Sequence, residues 1–166
     1  RRPLRVNADD LLRHPGASRE IAVESAGEPL DARHERLVGD IGVDLRLEAL
    51  NDGIRVTGTV AAAWATECRR CLTPLGEVAT VAVDELYQVE PLDEDAYLIE
   101  DGQLDLVPHV RETALIELDL ERLSRDDCAG LCPVCGDDRN LTTCDSDTAV
   151  RDDRWAPLEG IVPDEG

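Results

Sequence analysis

Two pairs of cysteines, each spaced two residues apart, set the tightest limit on what this chain can become. Cys68-Arg69-Arg70-Cys71 is the first pair and Cys132-Pro133-Val134-Cys135 the second, with Cys128 and Cys144 flanking the latter. A tight turn of this kind lets both thiolates face one ion. Gly136 permits the left-handed backbone such a turn needs, and amide N–H groups in the turn can donate to the sulfurs. Nothing signals export. There is no secretory apolar core at the N-terminus, and no apolar run approaches the roughly 20 residues of a membrane helix. The chain is therefore read as cytoplasmic, where clustered thiols point to metal rather than disulfides.

Two facing knuckles give one tetrahedral site of four thiolates, Cys68, Cys71, Cys132 and Cys135, with Zn²⁺ as the cofactor. A rival set is local and needs no long-range closure: Cys128, Cys132, Cys135 and Cys144. The spacing leaves both open. A redox reading treats each pair as a reactive dithiol. Such a dithiol works at a helix N-terminus, where the dipole lowers the thiol pKa, and Cys68 and Cys71 fall between strands instead.

Charge narrows the partners. The chain carries 17 basic residues, all Arg, against 37 acidic ones, a net of −20. Such a surface repels phosphate over most of its area, which excludes blanket binding to nucleic acid. A basic protein partner, or a small local RNA contact, fits. Leu, Ile and Val supply 43 of the 166 residues, enough for a core despite the charge. Aromatics are scarce, so that core is built from branched aliphatics and Ala. The length suits one domain with a small appendage. The chain begins at Arg1 and contains no Met, so the natural protein is expected to start earlier.

Hydrophobic periodicity supplies the frame. Ile41, Val43, Leu45 and Leu47 alternate with polar residues or Gly, the period of a half-wet strand. Asn51-Asp52-Gly53 supplies a hairpin turn. A second strand runs over 54–66, the Cys68–Cys71 turn follows, and a third strand spans 78–87. Connections this short require antiparallel neighbours. Leu4 and Val6 suggest a short strand, Asn7 or Asp9 a cap for a brief helix through Leu12, and 20–25 another strand. Residues 26–35 read as loop. Asp105 can cap a helix reaching about Leu118, with Pro108 in its first turn, and Val107, Val110, Ala114, Leu115 and Leu118 face the sheet. The expected fold is α+β: an antiparallel, strongly curved β-sheet with one main helix and a C-terminal cysteine-rich zinc-knuckle segment. Residues 1–125 form the core domain. Residues 126–166 form the zinc-binding segment and acidic tail, too polar for a second core and held in place by the metal.

No catalytic set emerges. His14, His34 and His109 read as surface or boundary residues, and no phosphate loop or nucleophile motif is present. The pairs Asp126-Asp127, Asp137-Asp138 and Asp152-Asp153 lack the spacing of a calcium loop.

Several stretches carry a family likeness. Leu11-Leu12-Arg13-His14-Pro15-Gly16, Glu67-Cys68-Arg69-Arg70-Cys71-Leu72, the run over 99–107, Cys128-Ala129-Gly130-Leu131-Cys132-Pro133-Val134-Cys135-Gly136 with Asn140-Leu141 and Cys144, and Asp152-Asp153-Arg154-Trp155-Ala156-Pro157-Leu158 resemble the YceD-like family, the large ribosomal RNA subunit accumulation proteins. Asp153 departs from the pattern, standing where Pro is usual. The resemblance implies a role in accumulation or processing of large-subunit ribosomal RNA in bacteria and plastids. The family's genes commonly lie beside that of a small zinc-ribbon ribosomal protein. It brings no established catalytic activity, so no catalytic residues are assigned. The expected function is a non-enzymatic ribosome-biogenesis factor whose acidic surface contacts a basic large-subunit ribosomal protein or a pre-ribosomal particle, with no membrane or small-molecule substrate. The alternatives are an RNA-binding zinc module using Arg69 and Arg70, and a thiol redox protein.

Overall fold

A computed structural model describes residues 4–91, 96–144 and Arg154. In chain order it contains β1 (Arg5–Asn7), α1 (Asp9–Leu12), β2 (Ser18–Ser25), a turn of 3₁₀ helix (Glu28–Leu30), β3 (Leu37–Ala49), β4 (Ile54–Glu67), β5 (Pro74–Gln88), β6 (Tyr97–Leu98), β7 (Gln103–Asp105) and α2 (Val107–Asp119). The strands β2-β3-β4-β5-β6 form one sheet in that spatial order, and β1 pairs with β7 in a small second sheet. The tail beyond residue 144, with its motif around Trp155, lies outside the described residues save Arg154.

Alternation decides which face is dry. Ile41, Val43, Leu45, Leu47 and Ala49 are all buried, and β4 opposes them with Ala62, Val60, Gly58, Val56 and Ile54. Each such pair sets apolar side chains against each other on one face. Gly58 is the exception that the packing demands. Its φ is +142°, and a Cβ there would lie 2.1 Å from the Asp44 carbonyl oxygen. Only glycine lets β3 and β4 approach so closely.

Helix α2 packs chiefly on β4, burying Val110, Ala114 and Leu118. The Asp105 carboxylate accepts the Val107 N–H at 3.1 Å, but Leu106 occupies the N-cap position, so Asp105 stands one residue before the cap rather than at it. At the other end Arg36 donates to the carbonyls of Leu118 and Leu120 at 3.1 and 3.0 Å. This satisfies two of the orphan acceptors of a helix terminus.

The α+β class holds, with mostly strands and one main helix. The expected strong curvature is corrected: the sheet is open, with β2 and β6 at its edges. β6 is only two residues long and pairs with β5 alone, and β2 pairs with β3 alone, so the two edge strands do not meet.

His109 also departs from expectation, since it is buried. The Tyr97 hydroxyl and the His109 Nδ1 share a hydrogen bond of 3.0 Å, and Tyr97 stacks in turn on Tyr87, with ring centroids 4.8 Å apart. Burial pulls His109 below its ordinary value of 6.5, partly opposed by Glu85 and Glu112. A depressed histidine pKa stabilises the fold fully above the unfolded value, and that share is lost as pH falls from about 6.5 through the folded value. Urea unfolding at pH 7.5 and pH 5 should therefore show a loss of stability that shrinks in His109→Gln. An unchanged loss in the variant would assign the acid sensitivity elsewhere.

Candidate metal centre

Both cysteine pairs sit in turns of one design. In the first, the Leu72 N–H donates to the Cys68 carbonyl at 2.9 Å and the Cys68 N–H to the Thr73 carbonyl at 2.8 Å. In the second, the Gly136 N–H donates to the Cys132 carbonyl and the Cys132 N–H to the Asp137 carbonyl, both at 2.8 Å. The residue after each pair is left-handed: Leu72 at φ +59° and Gly136 at φ +81°. Glycine adopts this conformation at little cost, whereas Leu72 holds it on an exposed hairpin tip.

The sulfurs gather in two groups of three. Cys68, Cys71 and Cys128 lie with all Sγ atoms within 4.8 Å of one another, and so do Cys132, Cys135 and Cys144. The two expected foursomes are each divided between these groups. Cys68 and Cys71 stand apart from Cys132 and Cys135, and in the local set Cys128 stands with the first group rather than with its sequence neighbours. All six are free thiols. The closest approaches are 3.8 Å between Cys68 and Cys128, 3.4 Å between Cys132 and Cys144, and 3.3 Å between Cys135 and Cys144. A disulfide requires about 2.05 Å. Tetrahedral zinc with bonds of about 2.3 Å sets its sulfurs about 3.8 Å apart. The donor set therefore fits a thiophilic divalent ion.

The first group is shielded. Its three cysteines are buried, with Leu75, Leu123 and Leu131 packed around them. Backbone bonds bring the C-terminal segment to the hairpin tip: Arg69 N–H to the Arg122 carbonyl and Leu131 N–H to the Arg70 carbonyl, both 3.1 Å. The Arg70 guanidinium donates to the Cys128 carbonyl at 3.0 Å, and the Arg122 guanidinium lies 4.6 Å from the centre of the Trp64 ring.

Local donors favour the thiolate form here. Burial pushes the Cys68 thiol up, but the amides of Cys71, Arg70 and Ser124 and the Ser124 hydroxyl outweigh it and bring it down to about 5. The Ser124 hydroxyl, against burial and with help from Asn140 and the Gly130 amide, also lowers Cys128. In the second group the amides of Cys135 and Val134 bring Cys132 down to about 6. Cys135 goes the other way. The Asp137 amide pulls it down, yet the Cys144 and Cys132 thiols and burial push it up to about 12. Three crowded sulfurs cannot all ionise without a cation to pay for their repulsion.

The sequence does not single out Ser124, and Asn140 stands in the family-like stretch after the second knuckle with no role assigned to it. The Asn140 side chain accepts the Ala129 N–H at 2.8 Å and donates to the Cys128 sulfur at 3.4 Å. Nothing local marks the role of either residue, because each acts across a turn in the folded segment.

The fold and the thiol groups define a class: an α+β protein with a cysteine-rich appendage suited to a metal ion. Residues 56–162 match the family described as Large ribosomal RNA subunit accumulation protein YceD, and this chain belongs to that family. Membership implies a role in accumulation of large-subunit ribosomal RNA, as an accessory factor rather than a known class of enzyme. Similar proteins include one from Mycobacterium tuberculosis, 35% identical over 145 residues, covering 81% of this chain and 70% of the relative. Another comes from Mycobacterium leprae, 35% identical over 146 residues, covering 81% and 66%. Both are described only as uncharacterized proteins. No solved structure matches the chain. Among the described residues no helix is long and apolar enough to cross a membrane.

Proposed function

We propose that this protein is a non-enzymatic accessory factor of large-subunit assembly, which uses an acidic face to hold a basic ribosomal protein or a pre-ribosomal particle. Zinc on the cysteine groups holds the C-terminal segment against the hairpin tip. The observation that carries the reading is a groove of about 320 Å³ between β5 and α2. Val81, Ala82 and Ile116 contribute apolar lining, and Glu85, Glu112 and Glu117 contribute carboxylates. Arg122 pairs with Glu117 at 3.2 Å and Arg111 more loosely with Glu112 at 3.9 Å, so Glu85 and the part-engaged Glu112 supply the charge for a partner. Complementary charge of this kind steers encounter and selects basic partners.

A tagged full-length chain is expected to recover large-subunit proteins and precursor ribosomal RNA from cell extract. The double change Glu85→Lys with Glu112→Lys should cut that recovery by roughly tenfold or more at low salt. Recovery of neither class of molecule by the native chain would end the proposal.

The direct RNA reading is weaker. Arg69 and Arg70 are exposed at the hairpin tip, but the Arg70 guanidinium is already engaged on the Cys128 carbonyl. Tight, salt-sensitive RNA binding by the purified protein would restore it. Lowered thiol pKa values serve a redox dithiol as well as a metal site. Six cysteines that stay freely reactive after zinc loading would favour the redox reading.

A further inference from the structure

We infer that the chain holds two metal ions rather than one: a shielded ion on Cys68, Cys71 and Cys128, and a solvent-facing ion on Cys132, Cys135 and Cys144. This rests on the zinc reading above and sharpens it.

Repetition is the first argument. Both knuckles close with the same pair of backbone hydrogen bonds, from the fourth residue after the first cysteine and to the fifth. Each has its own third sulfur, Cys128 for one and Cys144 for the other. If one ion joined the knuckles, Cys68 and Cys71 would gather with Cys132 and Cys135. The sulfurs instead gather separately around two centres. Each group offers three thiolates to one Zn²⁺, leaving a net charge of −1 and a fourth coordination position for a group outside the triad.

Burial is the second argument, and it distinguishes the two ions. Cys68, Cys71 and Cys128 are 0%, 6% and 3% exposed. In the other group Cys132 is buried but Cys135 is exposed and Cys144 half-buried. An apolar shell restricts the access of water and competing ligands to a metal. The first ion is therefore slow to exchange and structural. The second is quick to exchange and open to an incoming ligand.

The test uses the full chain loaded with Zn²⁺ and freed of excess. Elemental analysis with native mass spectrometry should find two equivalents per chain. Challenge with a coloured chelator should release them in two phases, one equivalent at least roughly tenfold faster than the other. Cys144→Ser should retain one equivalent and lose only the fast phase. Cys128→Ser should lose the slow phase. If Cys128→Ser does not fold, Cys144→Ser decides alone: one retained slow equivalent supports two sites, while retention of both or loss of both overturns them. One equivalent in the native chain overturns two sites while sparing the zinc reading, whereas none overturns both. The assembly role is judged separately, by recovery of ribosomal components.

Discussion

Removal of all metal is expected to release residues 121–144 from the hairpin tip while β3, β4 and β5 remain folded. The segment has little apolar surface of its own: Leu123 and Leu131 are its leucines around the first thiol group, beside Leu75 of β5. Structural zinc supplies about 10–16 kcal/mol of apparent binding free energy in small domains. Few other interactions in this segment approach that. The sheet, by contrast, rests on an aliphatic core that extends from Leu4 to Ala114. Hydrogen exchange with and without chelator measures the difference. The amides of Leu131, Cys132, Gly136 and Arg139 should lose roughly a hundredfold or more of their protection, while Val43, Val56 and Val60 keep theirs. Equal protection in both samples would mean that the thiols do not hold the segment by metal.

Gly58→Ala is expected to destabilise the fold by about 3 kcal/mol or more. The new methyl would sit 2.1 Å from the Asp44 carbonyl oxygen and 2.9 Å from Leu45 Cα. Both are backbone atoms of β3, so no side-chain rotation relieves the contact. The strand pair must separate, at the centre of the register that aligns Leu45 and Val83 on either side of Gly58. The φ of +142° adds strain for any residue with a Cβ. Chemical denaturation of Gly58→Ala beside Gly42→Ala gives the comparison. Gly42 has ordinary contact distances, 3.6 Å to the Ala61 Cβ, and should be far better tolerated.

Much of this architecture was legible in the residues. The alternation of Ile41 through Leu47, the Asn51-Asp52-Gly53 turn and the short reversal near Cys71 together dictate an antiparallel meander, and the meander is there. So is the helix after Asp105. What one strand cannot reveal is the shape of the whole sheet. Curvature depends on how many strands join and how far each is paired, and β6 pairs with β5 through only Tyr87 and Gln88. The burial of His109 escapes the sequence for a similar reason. Its position near the helix start says nothing of Tyr97, twelve residues earlier, which arrives from β6 and shields it.

The cysteines show the same boundary. Their spacing identifies two turns able to grip a cation, and Gly136 adopts the left-handed backbone expected of it. Which turn meets which sulfur depends on the path after α2. That path runs back along the end of β4, bringing Arg122 to Trp64 and Cys128 to Cys68. Nothing in the spacing between Cys128 and Cys132, only four residues apart in sequence, shows that they serve different groups.

This division gives the chain a calendar during synthesis. Cys68 and Cys71 leave the ribosome early but wait for Cys128, which follows only after the third long strand and the main helix have been made. Capture of the inferred first ion would report that the nascent polypeptide has been translated through its central fold. The later trio spans thirteen positions, from Cys132 to Cys144, and can assemble as soon as it emerges.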